Sequence, residues 1–131
     1  MKAKTLFSVL AGIHIVIGLA LMGLHANPDE ALKAWLSEPA SPEVMALILG
    51  QLRVVMCHSV GVGLIMLMGR GISVRSDAQR LLKGYCLFNG LVLLNAFYGL
   101  LFATSPPIPV LVMYLVGFGL AAYGSVKAEV A

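Results

Sequence analysis

Four apolar segments, each roughly long enough to cross ~30 Å of hydrocarbon, leave this chain few ways to fold. They run over about residues 5–24, 43–69, 81–104 and 108–125. The chain has 131 residues, room for one domain at most. Hydrophobic residues make up 60% of it and charged residues 11%, against about 25% charged in a soluble domain. Mean hydropathy is +0.93. A soluble core of this size could not hide so much apolar surface, whereas lipid solvates it. The expected fold is therefore all-α, an integral membrane four-helix bundle forming a single transmembrane domain over residues 1–131.

The connecting segments differ in charge, and the difference sets an orientation. The first carries Asp29, Glu30, Glu38 and Glu43 against Lys33. The second carries Arg70, Arg75, Arg80 and Lys83 against Asp77. The third, Ser105-Pro106-Pro107, has no charge, while Lys2, Lys4 and Lys127 mark the two ends. Cytoplasmic segments hold the excess of Lys and Arg, so both termini and the second connection are expected in the cytoplasm. Four crossings also require both ends on one side. The expected location is a cell membrane, the bacterial inner membrane in the first instance and an endoplasmic-reticulum-like one in a eukaryote.

The first connection has a helix signature of its own. Asn27 is placed to cap a turn with Pro28 at its start and Glu30 at its third position. Ala31, Leu32, Trp35 and Leu36 then fall on one face, which predicts a short interfacial helix over residues 28–37 with Trp35 at headgroup level. Pro39 ends it, and Ser41-Pro42-Glu43 reads as a cap and first turn for the second long helix. Lys2, Lys4, the first apolar stretch and Leu24-His25-Ala26 together resemble a signal peptide. The stretch is long for one, and Leu24 is a poor residue at the cleavage position, so a retained helix is the expectation.

Several function classes lose support. The basic residues flank apolar segments and form no stripe with interleaved aromatics, so nucleic acid is not expected as a partner. Cys57 and Cys86 form no CxxC pair and read as two buried structural thiols. There is no HExxH, GxSxG or phosphate loop. No acidic residue lies inside the first, third or fourth segment, which removes carboxylate-driven proton coupling. No catalytic residue is expected.

Polar groups at membrane depth are costly and point to a site or to interhelical bonding. The candidates are His14, Gln51, Arg53, His58, Asn95 and Tyr114, with Asn89 near them. Counting 1.5 Å per residue from the cytoplasmic ends puts His14, His58, Asn95 and Tyr114 at roughly 14 to 20 Å, one from each helix near the midplane. The plainer reading is hydrogen bonding that holds the bundle together, at about 0.6 kcal/mol per bond. The sharper one is a site for a lipophilic ligand, most concretely a b-type haem with His14 and His58 as axial ligands. Gly18 and Gly61, one turn from these histidines, would let a flat macrocycle approach. No cofactor is otherwise expected.

Arg53 is a separate case, able to snorkel outward or to hold an anionic or carbonyl group by forked hydrogen bonds. Gln51 and His58 share a face, and Arg53 is turned about 160 to 200° from them. On the third helix Tyr85 and Asn89 share one face, and Asn95 and Tyr98 another. The many glycines read as sites of close helix packing.

Gln51-Leu52-Arg53 opening the second helix, Asn95-Ala96-Phe97-Tyr98-Gly99-Leu100 late in the third, and Thr104-Ser105-Pro106-Pro107 before the last carry a resemblance. Over Gln51 to Val116 the chain resembles the ergosterol-biosynthesis scaffold proteins of the endoplasmic reticulum, together with similar uncharacterised bacterial membrane proteins. The resemblance covers about half the chain and leaves out the first helix and the acidic connection. It implies a non-catalytic scaffold that tethers other enzymes in the membrane. The expected partners are thus the bilayer and another membrane protein or a second copy of the chain.

Overall fold

The computed structural model describes residues 1–28, 41–101 and 108–130. They form four helices: α1 (Ala3–Ala26), α2 (Pro42–Gly69), α3 (Arg75–Leu101) and α4 (Ile108–Lys127). All four are long and apolar enough to cross a membrane. Beyond Pro28, the interfacial helix expected over residues 28–37 lies outside the described residues, as does the turn at 104–107.

α2 starts where its cap signature places it. The Ser41 hydroxyl accepts from the Val44 backbone N–H at 3.4 Å, and Pro42 occupies the first turn. α3 begins at Arg75, well before the expected start near Leu81. The added turns are too polar for hydropathy to mark, yet they are well anchored. Asp77 sits in the first turn, where the helix dipole favours a negative charge. Ala78 and Leu82 are fully buried, and the Gln79 side-chain amide donates to the Val126 carbonyl at 3.1 Å.

α1 is the spine of the bundle. It packs along α2 and also touches α4, while α3 pairs with α4. It is the most buried of the four helices, with Leu6, Phe7, Leu10, Ala11, His14, Ile17 and Leu21 all turned inward. The α1–α2 contact is close because small residues meet there. A Cβ built on Gly63 would stand 3.2 Å from the Ala11 carbonyl oxygen, and one on Gly18 would stand 3.4 Å from that of Met56. Backbones that close leave no room for larger side chains.

Two apolar clusters fill the interior. Leu6, Phe7, Leu10, Met66, Leu82 and Ala121 form one, towards the chain termini. Ile17, Leu21, Leu52, Leu93 and Tyr114 form the other. The two ends of the chain meet: Lys2 and Glu129 form a parallel bridge, with the Ala3 N–H donating to the Glu129 carbonyl at 2.7 Å. Lys2, Lys4, Arg70, Arg75 and Lys127 therefore gather at one end of the bundle. The outer surface is apolar, with Met68 80%, Leu87 73% and Leu91 67% exposed. Water does not favour such a surface; hydrocarbon does.

Candidate functional site: a buried polar cluster and a lateral cleft

The side chain at the centre is His14 on α1, 1% exposed. Its Nε2 lies 2.6 Å from the Tyr85 hydroxyl of α3. The imidazole meets Tyr85 edge-on at a ring separation of 5.3 Å and Tyr114 of α4 at 5.7 Å. The Tyr114 hydroxyl lies 3.5 Å from Ser59 Oγ of α2, and the Asn89 amide of α3 donates to the Tyr114 carbonyl at 2.9 Å. Every helix thus contributes to one buried polar cluster: His14, Ser59, Tyr85, Asn89 and Tyr114.

Gly117 makes the cluster sterically possible. A Cβ there would come within 2.9 Å of the Tyr85 hydroxyl and 3.3 Å of the Asn89 amide nitrogen. Two buried polar atoms are left without a partner among the described residues, His14 Nδ1 and Asn89 Oδ1. In the tautomer in which Tyr85 donates to Nε2, the imidazole proton sits on Nδ1. The orphans are then one donor and one acceptor.

The sequence placed one polar residue from each helix near the midplane, and two of the four turn away from the buried cluster. His14 and Tyr114 belong to the cluster. His58 is exposed and stacks on Phe88, with ring centroids 5.1 Å apart and planes 28° apart. Asn95 is also exposed. Helix phase accounts for both displacements. Asn95 stands six residues from Asn89, about 120° around the helix at 100° per residue. Ser59, one residue and ~100° on from His58, takes the inward position instead. Tyr85 and Asn89 do share a face, and it is that face which turns inward. Ser59 carries no signal in the sequence, since serine is common in helices that carry no site.

The geometry around the two histidines also bears on the haem arrangement. His14 Nε2 is engaged by Tyr85, and the notch at Gly18 is filled by Val60, whose Cγ2 would lie 2.6 Å from an added Cβ. Gly61 has open space in front of it. His14 is thus enclosed among its hydrogen-bonding neighbours, while His58 is exposed. Among the described residues no three His, Cys, Asp or Glu side chains converge.

Arg53 and Gln51 are exposed. The Arg53 Nε donates to His25 Nε2 at 2.8 Å, joining α2 to the last turn of α1. In the sequence nothing links His25 to Arg53, 28 residues away, because the contact depends on how α1 and α2 pack. Cys57 is exposed and Cys86 half-buried, which corrects the expectation of two buried thiols.

Beside the cluster, α2 and α3 part to leave a cleft of about 420 Å³. His58, Ser59, Phe88, Leu91, Asn95 and Tyr114 are among the residues that line it. A shallower groove of about 600 Å³ runs along α2 from Arg53 past Cys57 and Gly61 to Ile65, sharing Val54 and His58 with the cleft. The chain matches no protein-family model, no curated protein and no solved structure.

Proposed function

We propose that this protein is a multi-pass membrane protein with both termini in the cytoplasm, acting as a non-catalytic accessory or scaffold subunit that packs against other membrane proteins. The gathering of Lys2, Lys4, Arg70, Arg75 and Lys127 at the end where the termini meet supports the orientation. A cell membrane, the bacterial inner membrane in the first instance, is the proposed location.

The observation that carries the scaffold reading is a set of glycines with nothing to pack against. Gly12, Gly23, Gly50, Gly61, Gly84 and Gly119 lie within helices, and a Cβ on any of them would meet no atom within 4 Å. A helical glycine costs up to about 1 kcal/mol relative to alanine. Gly18, Gly63, Gly117 and Gly124 offset that cost by admitting a neighbouring helix or side chain. The outward six have no such return among the described residues. Small residues on a lipid-facing surface allow a helix of another protein to approach closely. On α1, Gly12 and Gly23 are eleven residues apart and face the same way, about 20° from eclipsed. The buried polar cluster fits the same reading, because its groups bond one another and present no accessible nucleophile beside a base.

The test is purification from native membranes in mild detergent. A scaffold subunit brings down a membrane enzyme in fixed ratio, and Gly12→Leu with Gly23→Leu reduces that ratio while the variant melts as the parent does. Recovery of the parent protein alone, at every detergent strength that preserves known membrane complexes, overturns the reading.

A further inference from the structure

We propose that the cleft between α2 and α3 binds an uncharged lipophile, drawn sideways from the bilayer, whose head carries a hydroxyl or carbonyl group. This goes beyond the scaffold reading and shares with it only the membrane-spanning arrangement.

The first support is depth. A Cβ on Gly69 would stand 3.0 Å from Leu81 Cδ2, so these two positions mark a common level near the basic end. At 1.5 Å per residue His58 rises about 17 Å above that level and Asn95 about 21 Å. Both therefore sit well inside a ~30 Å hydrocarbon layer, within about 5 Å of each other along the bundle. Both are exposed, and neither makes a hydrogen bond among the described residues. At such depth there is no water to bond, so an open amide and an open imidazole are unfavourable unless something occupies the space between them.

The second support is the shape and chemistry of that space. At about 420 Å³ it falls in the range of small-molecule sites. Val54, Val55, Leu91, Val92 and the Phe88 ring supply its apolar walls, and four polar groups converge: His58, Asn95, and the Ser59 and Tyr114 hydroxyls. That pattern of an apolar wall with a few hydrogen-bonding points is the one that orients a small ligand. Among the described residues no Lys, Arg, Asp or Glu lines the cleft, so a carboxylate or phosphate would enter without a counter-ion there. A hydroxyl or carbonyl needs none, and the amide of Asn95 can both donate to it and accept from it. Leu91, at the lip, is 67% exposed, which sets the opening towards the lipid and not towards either aqueous face.

The experiment uses the full chain in phosphatidylcholine nanodiscs with two photoreactive probes of equal chain length, a diazirine-bearing hexadecanol and the corresponding hexadecanoate at pH 8. Cross-linked peptides are mapped by mass spectrometry. The alcohol is expected to label the peptides around Val54–Ser59 and Phe88–Asn95 saturably, and at least tenfold more than the carboxylate does. Asn95→Leu and Leu91→Trp should each lower that labelling at least tenfold. Both replace exposed side chains, so their melting temperatures should stay near that of the parent. Val112→Trp, on the outer face of α4, should leave the labelling unchanged. Labelling spread evenly around the four helices, labelling that does not saturate, or equal labelling in Asn95→Leu and Leu91→Trp overturns the proposal.

Discussion

A Cβ at position 117 would stand 2.9 Å from the Tyr85 hydroxyl and 3.3 Å from the Asn89 amide, so Gly117→Ala has to push apart the polar centre. The expected loss is about 1–3 kcal/mol, read as a lower melting temperature in detergent. Gly119→Ala, two residues on, meets nothing within 4 Å and should be neutral or gain up to about 1 kcal/mol. Equal melting of the two variants would contradict the packing described around Tyr85. Tyr85→Phe removes the partner of His14 Nε2 and leaves that nitrogen buried and unpaired. The expected cost is about 1–3 kcal/mol, whereas His58→Leu, at an exposed side chain, should cost almost nothing. Thermal unfolding of the pair side by side distinguishes a structural cluster from one centred on His58. Sequence position alone gave the depth of these groups but not their direction. Depth follows from counting residues, while direction depends on which face of each helix its neighbours cover. His14 and Tyr114 are inward on both grounds, and His58 and Asn95 satisfy only the first.

Among the helices, α1 bears the most packing, because it lies along α2 and also reaches α4. Its inward residues, from Leu6 to Leu21, join both apolar clusters. A chain lacking residues 1–26 is therefore expected not to accumulate as a folded, protease-resistant species, even when targeted to the membrane. Normal accumulation of that shortened chain would show that α1 is dispensable to the fold. α3 teaches a different lesson about reading elements from sequence. Its apolar part was legible from Leu81 onward, but the turns from Arg75 to Arg80 were not, because their residues are polar. What makes them helical is tertiary, the burial of Ala78 and the bond from Gln79 to Val126. Small residues were legible as packing sites only as a class. Which glycines face inward, such as Gly18 and Gly63, and which stay open, such as Gly12 and Gly119, depends on helix phase.

At the scale of the whole molecule, four helices long and apolar enough to cross a membrane carry apolar outer faces, with basic residues gathered at the end where the termini meet. The four long helices were legible, except for the first turns of α3, because length and apolar composition are things a sequence shows directly. The pairing of α1 with α2 and of α3 with α4, and the cleft between the pairs, follow from three-dimensional fit and were not. The orientation is most directly measured with a membrane-impermeant maleimide on intact cells and on inverted vesicles. The background carries Cys57→Ser and Cys86→Ser, with single cysteines at Ser105 or Ala131. Cysteine at position 105 should label in cells, and cysteine at position 131 only in inverted vesicles, with the protein staying in the membrane through alkaline carbonate washing. Labelling of position 131 in intact cells, or release of the chain by carbonate, would contradict four cytoplasm-anchored crossings.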